Sequence, residues 1–446
     1  MSHPTPLLER LFSLSQHKTS VRTEILAGFT TFLTMCYIVI INPLTLSKTG
    51  MDFGAVFVAT CISAAIGCLI MGLLANYPIA LAPGMGLNAY FTFSVVMGMP
   101  GVTWQIALAA VFVSGVIFIL FSFFKVRELL VNALPMSLKM AIAAGIGLFL
   151  ALIALKNAGV IVSSDATLLK MANFYVEENG AKAPNWPVLL AMLGFVLTVA
   201  LDYFRVRGAI IIGILSITLI SVAMGLSEFY GVVSGIPSLT PTLMQMDFSG
   251  LLNGSMIAVV FVFFLVDLFD STGTLVGVTH RAGLLEDGKL PRLKKALFAD
   301  SVAIVAGAAL GTSSTTPYVE SASGVAAGGR TGLTAVTVGV LMLACLWFSP
   351  LAQSVPAFAT APALLYIGIH MLRSATEIEW NDITEAAPAF LTIAFMPFTY
   401  SIADGIAVGF ISYAAIKLVC GRAKDVPVMV WFVAVAWMAK FWFLGS

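Results

Sequence analysis

Four carboxylates stand in the middle of apolar sequence. "FFLVDLFDSTGTLVG" holds Asp267 and Asp270, "ALFADSVAIVAG" holds Asp300, and "TSSTTPYVESASGVAAGGRTG" sets Glu320 among serine, threonine, glycine and alanine. An ionisable side chain at membrane depth is costly, so such residues are functional candidates by default. The i, i+3 spacing puts Asp267 and Asp270 on one face of a helix. Clustered carboxyls in a low-dielectric cavity cannot all ionise, and one that exchanges its proton near neutral pH can load and release it as the cavity changes sides. Blander roles stay open for two of them. Asp300 follows the basic residues Arg292, Lys294 and Lys295 and opens its apolar run, as an interfacial N-cap would. Asp267 could partner a serine, threonine or backbone group. Asp270 precedes Ser271, Thr272 and Gly273, where the helix could loosen. Asp404, near the edge of an apolar run, reads as interfacial, and His280 and His370 as solvated or packed at helix ends.

The elements that must carry these acids are read from composition. The chain is 59% hydrophobic and 10% charged, against about a quarter charged in a soluble domain. Apolar runs recur along it, and a span of the hydrocarbon core needs about 20 such residues. The expectation is an all-α polytopic membrane protein with spans near 24–46, 53–75, 80–98, 104–125, 137–155, 187–204 and 208–226, then 252–277, 298–311, 312–327, 331–349, 358–372, 386–399 and 401–419. Lysine and arginine in short loops set the orientation. With a cytoplasmic N-terminus carrying Arg10, Lys18 and Arg22, the inner loops hold Lys125, Arg127, Arg205, Arg207, Arg281, Lys289, Arg292, Lys294, Lys295, Arg330, Arg373, Arg422 and Lys424. The outer loops at 227–251 and 350–357 are nearly free of positive charge, and in 156–186 Lys156, Lys170 and Lys182 are balanced by Asp165, Glu177 and Glu178. Residues 1–23 read as an amphipathic segment lying on the membrane (Leu7, Leu8, Leu11, Phe12) and not as a cleaved signal peptide. Residues 427–444 are either a further span or an interfacial helix. Cys36, Cys61, Cys68, Cys345 and Cys420 lack CxxC spacing and read as small apolar residues. A net charge of +1 gives no sign of a nucleic-acid partner. With no histidine cluster for a metal and no Ser–His pairing within the spans, an enzyme is not expected.

Seven spans followed by seven more bring the second half in from the opposite side, so any internal repeat is inverted. The third span of each half is broken in the same manner: "PIALAPGMGLNAYFTF" and "GTSSTTPYVESASGVA" each run extended to a proline, Pro83 or Pro317, then into a short small-residue helix. Paired Gly/Pro-interrupted segments at matching positions are the sequence pointer to a transporter site. Non-helical backbone at membrane depth is tolerated only where protein covers it or it lines a cavity. The free N–H groups of each short helix favour polar or anionic ligand groups.

At "APGMGLNAYF", "VDLFDSTGTLVGVTHRAG" and "GTSSTTPYVESASGVAAGGRTGLTAV" the chain resembles the nucleobase–cation symporter-2 (nucleobase–ascorbate) superfamily, in its Azg-like branch of purine permeases, over nearly its full length. The resemblance implies a 7+7 inverted repeat with short strands and half-helices in segments 3 and 10. It implies a core domain of segments 1–4 and 8–11 (24–125 and 252–349) and a gate domain of segments 5–7 and 12–14 (126–251 and 350–446), the core moving in an elevator-like or rocking manner. The family's span-eight, span-nine and span-ten acids fall on Asp270, Asp300 and Glu320, and its span-three strand on Ala82 to Gly86. Asp270 departs from the distant uracil and xanthine branches, which carry Glu there, so its reach to a ligand is shorter. Glu320 would bind a base through ring N–H groups, Asp270 would meet the other edge or a bridging water, and Asp267 and Asp300 would tune the proton site. Thr34, Asn88 and Thr316 would add hydrogen bonds, and Tyr37, Phe91 and Tyr318 flat contacts. Met85, Gly86 and Val319 stand beside the short helices whose N–H groups would cap the ligand.

What the resemblance implies is proton-coupled purine uptake at the inner (plasma) membrane, with no cofactor beyond the proton gradient, the lipid bilayer as surroundings, and a homodimer. Guanine presents adjacent N1–H and N2–H₂ donors that one carboxylate accepts together. Asp267 in place of the Asn of adenine-preferring members, and "PGMGLNA" in place of "PAMGLNA", lean towards guanine and hypoxanthine over adenine. An anion transporter or channel on the same architecture is the rival class; the four acids argue against it, with no buried lysine or arginine expected to offset them.

Overall fold

The computed structural model describes residues 7–123, 135–165, 167–178, 181–251, 254–284 and 291–443. Lys125, Arg127 and Lys289, three of the inner-loop charges, lie outside the described residues, as do the ends of the 104–125 and 427–444 runs. Eight helices among the described residues are long and apolar enough to cross a membrane: Val21–Thr49, Phe53–Ala75, Trp104–Ser122, Met136–Asn157, Trp186–Tyr203, Gly254–Arg281, Gly332–Gln353 and Ile402–Val419. Shorter apolar helices at Met85–Val96, Ala209–Ala223 and Ile383–Phe398, with Leu293–Leu310, Ala357–Leu372 and the half-helix Ser321–Ala326, complete the series. Taken in chain order they are segments 1 to 14 of a 7+7 inverted repeat.

Several boundaries differ from the sequence expectation. Segment 9 begins at Leu293, not near 298, so Asp300 lies two turns inside the helix and does not cap it. Lys294 and Lys295 belong to the first turn, where long basic side chains extend to the aqueous edge. Segment 8 runs unbroken to Arg281 through Ser271, Thr272 and Gly273, with no loosening after Asp270. The N-terminal helix Leu7–Phe12 leaves Leu7 and Leu11 exposed but buries Phe12 against Leu14 and Leu333. Segment 1 starts at Val21, capped by Ser20, whose Oγ accepts from the Thr23 amide at 3.2 Å. The helix Val428–Phe443, about 24 Å at 1.5 Å per residue, packs along segment 14.

Segments 3 and 10 carry the strands β1 (Leu81–Pro83) and, after four others, β6 (Thr315–Pro317). The expected Ala82–Gly86 strand is shorter, because Met85 and Gly86 already belong to the helix Met85–Ala89. β1 and β6 pair antiparallel, with Leu81 opposite Pro317, Ala82 opposite Thr316 and Pro83 opposite Thr315. The pairing extends beyond the strands. Gly84 N–H donates to Ser314 O at 2.9 Å, and Tyr318 N–H to Ala80 O at 2.9 Å. Two helix breaks at membrane depth thus satisfy one another's backbone groups.

The chain packs as two compact units, 1–132 with 235–349 and 133–234 with 350–446. The first holds segments 1–4 and 8–11 around a core that includes Met71, Tyr77, Leu81, Leu275, Ala299 and Val325. Phe118 stacks on Phe264 with centroids 4.6 Å apart. The second unit holds segments 5–7 and 12–14 and two hairpins absent from the sequence expectation: β2 (Ile161–Ser164) with β3 (Leu168–Met171), and β4 (Tyr175–Glu178) with β5 (Ala181–Pro184). Their isoleucine, valine and tyrosine residues suit strands. This unit also contains a buried lysine, contrary to the sequence reading. Lys417, 1% exposed, sits 2.7 Å from Glu385, which also accepts from the Tyr413 hydroxyl at 2.9 Å. Its charge is matched within segments 13 and 14.

Candidate functional site

Glu320 occupies the N-cap position of Ser321–Ala326. That half-helix lies against segment 1 along its length. A Cβ on Gly324 would collide with the Thr31 hydroxyl and the Ala27 carbonyl, so only glycine permits this approach. Segment 1 itself breaks between the helices Val21–Met35 and Ile38–Leu46. At the break the Tyr37 hydroxyl donates to Glu320 Oε1 at 2.6 Å. One turn earlier Thr34 Oγ1 lies 2.9 Å from Ser323 Oγ, and Ser323 donates to the Glu320 carbonyl at 2.6 Å. A carboxylate held by a tyrosine hydroxyl keeps lone pairs for a second donor.

A second acidic group faces β6. Ser314, just before the strand, meets Asp267, and Thr316 within it lies near Asp270. Ser314 Oγ is 2.7 Å from both oxygens of the fully buried Asp267. Asp270 is half-buried, with Thr316, Asp300 and Glu320 within electrostatic reach. Asp300 is fully buried. Asp267 therefore has the serine partner that the blander reading allowed.

The remaining sequence candidates divide. Tyr318 is buried, its ring 6.5 Å from that of Tyr37, and its hydroxyl donates to Pro83 O at 2.6 Å, so that hydroxyl ties the two broken segments together. Asn88 accepts from the Ser313 hydroxyl and points its amide at Met85 Sδ, 3.9 Å away. Phe91 is 0% exposed. Met85 is buried, Gly86 half-buried, and Val319 52% exposed. The structure gathers Glu320, Tyr37, Thr34 and Tyr318 at one half-helix and Asp267, Asp270 and Thr316 beside the strand. Asn88 and Met85 form a third group in segment 3.

Sequence reasoning missed Ser313, Ser314 and Ser323, each one of several hydroxyl residues in a run. It also missed Cys68, which was read as merely apolar. Its sulfur lies 3.2 Å from the Leu81 amide and 3.3 Å from the Leu81 carbonyl, bonding the backbone of β1 on an otherwise bare edge. No group of three histidine, cysteine or acidic residues that could hold a metal ion occurs among the described residues.

The model of the permease family Xan_ur_permease matches residues 22–408. The adenine permease AdeP of Escherichia coli (strain K12) is 46% identical over 441 residues, covering 99% of this chain and 97% of that protein. The guanine/hypoxanthine permease PbuO of Bacillus subtilis (strain 168) is 43% identical over 441 residues, covering 97% and 100%. Among solved structures, the transmembrane domain of a cyanobacterial bicarbonate transporter, BicA, matches with a TM-score of 0.64 at 15% identity, covering 87% of this chain and 97% of that one. That likeness is one of fold.

Proposed function

We propose, starting from the fact that this chain belongs to the permease family of nucleobase–ascorbate transporters, that it carries purine nucleobases across a membrane in symport with protons. The observation that carries the reading is the Tyr37–Glu320 pair at the start of the half-helix, a carboxylate oriented by a 2.6 Å hydrogen bond. Glu320 accepts ring N–H groups of the base, while Thr34 and the N–H groups near Met85, Gly86 and Val319 frame it. Asp270 approaches the opposite edge, with Asp267 and Asp300 behind it as the proton-exchanging set. Guanine and hypoxanthine fit this acceptor-rich arrangement, since a carboxylate takes the N1–H and, in guanine, the N2–H₂ together. Adenine is the second reading, favoured by the 46% identity to an adenine permease. An anionic substrate is disfavoured by four acids and by a buried lysine already paired with Glu385.

The unit bearing the site is assigned the mobile core role and the other the gate. The arginine- and lysine-bearing loops support a cytoplasmic N-terminus in an inner membrane. The test is uptake of radiolabelled guanine, hypoxanthine and adenine into cells lacking purine carriers, for the wild type and Glu320→Gln, with and without an uncoupler. Guanine uptake abolished by both treatments is the expected result. Adenine uptake with guanine ignored would overturn the substrate assignment, and uptake indifferent to the uncoupler would overturn the coupling.

A further inference from the structure

A fifth acid, Glu24, lies in the first turn of segment 1 and is 0% exposed. Its carboxylate binds the start of another helix, beside that helix's own N-cap, Thr331. Oε1 accepts the Arg330 amide at 2.9 Å, and Oε2 accepts the Thr331 amide at 3.2 Å and the Thr334 hydroxyl at 2.5 Å. These are donors at the start of segment 11, Gly332–Ala344, where a negative charge is favoured. The side chain of Arg330 turns the other way. Its Nη1 donates to Val325 O and Gly329 O, both at 2.7 Å, at the carbonyl end of the half-helix that Glu320 begins. Asn76, at the end of segment 2, closes the same corner by accepting the Gly332 amide at 2.6 Å.

The half-helix cannot hold itself. Its six residues, Ser-Ala-Ser-Gly-Val-Ala, fall well short of the roughly 12–15 at which an isolated helix becomes even marginal in water. Serine, glycine and valine are poor helix formers. Its order must come from its two ends and from the seam with segment 1. At one end stands Glu320 with Tyr37; at the other stands Arg330, whose backbone is fixed by Glu24. Tyr37 and Glu24 both belong to segment 1, so one segment grips both ends of the element that carries the acid.

We propose that Glu24 and Arg330 form a clamp that positions Glu320, setting the pose of the substrate carboxylate from the far end of its half-helix. Both are positioning residues that act through the backbone of 321–330. The proposal rests on the reading of Glu320 as the purine-binding group.

Two variants and two readouts test it on the full-length purified protein. Arg330→Ala opens only the half-helix end, because Glu24 is bonded to the Arg330 backbone amide and keeps its partners; Glu24→Gln removes the charge at the start of segment 11. Amide hydrogen exchange over 321–330 is expected to quicken by on the order of tenfold in both, with segment 8 unchanged, as a helix end loses a charge-assisted bond. Guanine affinity is expected to fall by on the order of tenfold in Arg330→Ala and to fall no further when that change is added to Glu320→Gln. Exchange over 321–330 equal to wild type in Arg330→Ala overturns the clamp. So does a loss of affinity of the same size in the Glu320→Gln background, which would mean general damage. Should the wild type bind no guanine, hypoxanthine or adenine, the transport reading fails by itself, and the exchange rates alone then decide whether the half-helix is clamped.

Discussion

Tyr37→Phe is the most economical probe of the site. It removes one oxygen and leaves the ring, so the packing of Tyr37 against Tyr318, 6.5 Å between centroids, is kept. What is lost is the 2.6 Å hydrogen bond to Glu320 Oε1. A hydrogen bond to a charged group is worth about 1.5–3 kcal/mol net, and each 1.4 kcal/mol is about tenfold in an equilibrium constant. Not all of this would reach the substrate, because under the proposed reading a bound base would itself supply donors to Glu320. The lower end of the range applies, and the variant is expected to bind guanine about tenfold more weakly. Isothermal titration with purified protein measures this directly, with thermal melting alongside to confirm that the fold is intact. A dissociation constant within twofold of wild type, from a variant that melts normally, would refute the claim that the tyrosine orients the acid.

Other outcomes follow from the same geometry. Asp267→Asn should move the ratio of adenine to guanine uptake towards adenine by about tenfold, the scale of one hydrogen-bonding group in a buried site; an unchanged ratio removes Asp267 from specificity. Gly324→Ala should overpack the seam with Ala27 and Thr31 at a cost of about 1–3 kcal/mol, visible as a lower melting temperature together with impaired uptake. Arg422→Ala tests the second unit at low pH. The Thr384 hydroxyl and then the Arg422 guanidinium hold Asp382 well below the usual carboxylate range. A depressed folded-state value stabilises above the unfolded one, near pH ~4, and its contribution disappears as pH falls through the folded value. The melting difference between wild type and variant should therefore be complete at neutral pH and shrink below about pH 4; a difference independent of pH contradicts the assignment.

The broken segments were legible because proline at membrane depth leaves a signature that few other constraints produce, and Pro83 and Pro317 stand at the ends of their strands as the pattern required. The acids were legible because a charge in apolar sequence is conspicuous. Their partners were not. Ser314 and Ser323 are hydroxyls in a run of hydroxyls, and only the fold, which sets Ser314 just before β6 and beside segment 8, selects it for Asp267. Cys68 looks apolar by any scale, and its bonds to Leu81 exist only because a strand edge lies beside it. Glu24 was hidden by its place near a helix start, where an acid is ordinary and needs no explanation. For Asp300 the blander cap reading fails because its helix begins two turns earlier, at Leu293, which only the full helix boundary shows.

The inverted repeat gives the two halves matching backbones but not matching chemistry. β1 and β6 meet at Ala82 and Thr316, so each half supplies one strand and one short helix to a common centre. All four acids read from the sequence come from the second half: Asp267, Asp270, Asp300 and Glu320. The first half answers with the tyrosine hydroxyl of Tyr37, the threonine of Thr34 and the amide of Asn88. Equivalent acids on both halves would offer a flat base two equivalent orientations and set carboxylates against one another across the strands. Across the two repeats the Tyr37 hydroxyl of the first donates to the Glu320 carboxylate of the second, and the Ser313 hydroxyl of the second donates to Asn88 of the first, so each half restrains a polar group of the other.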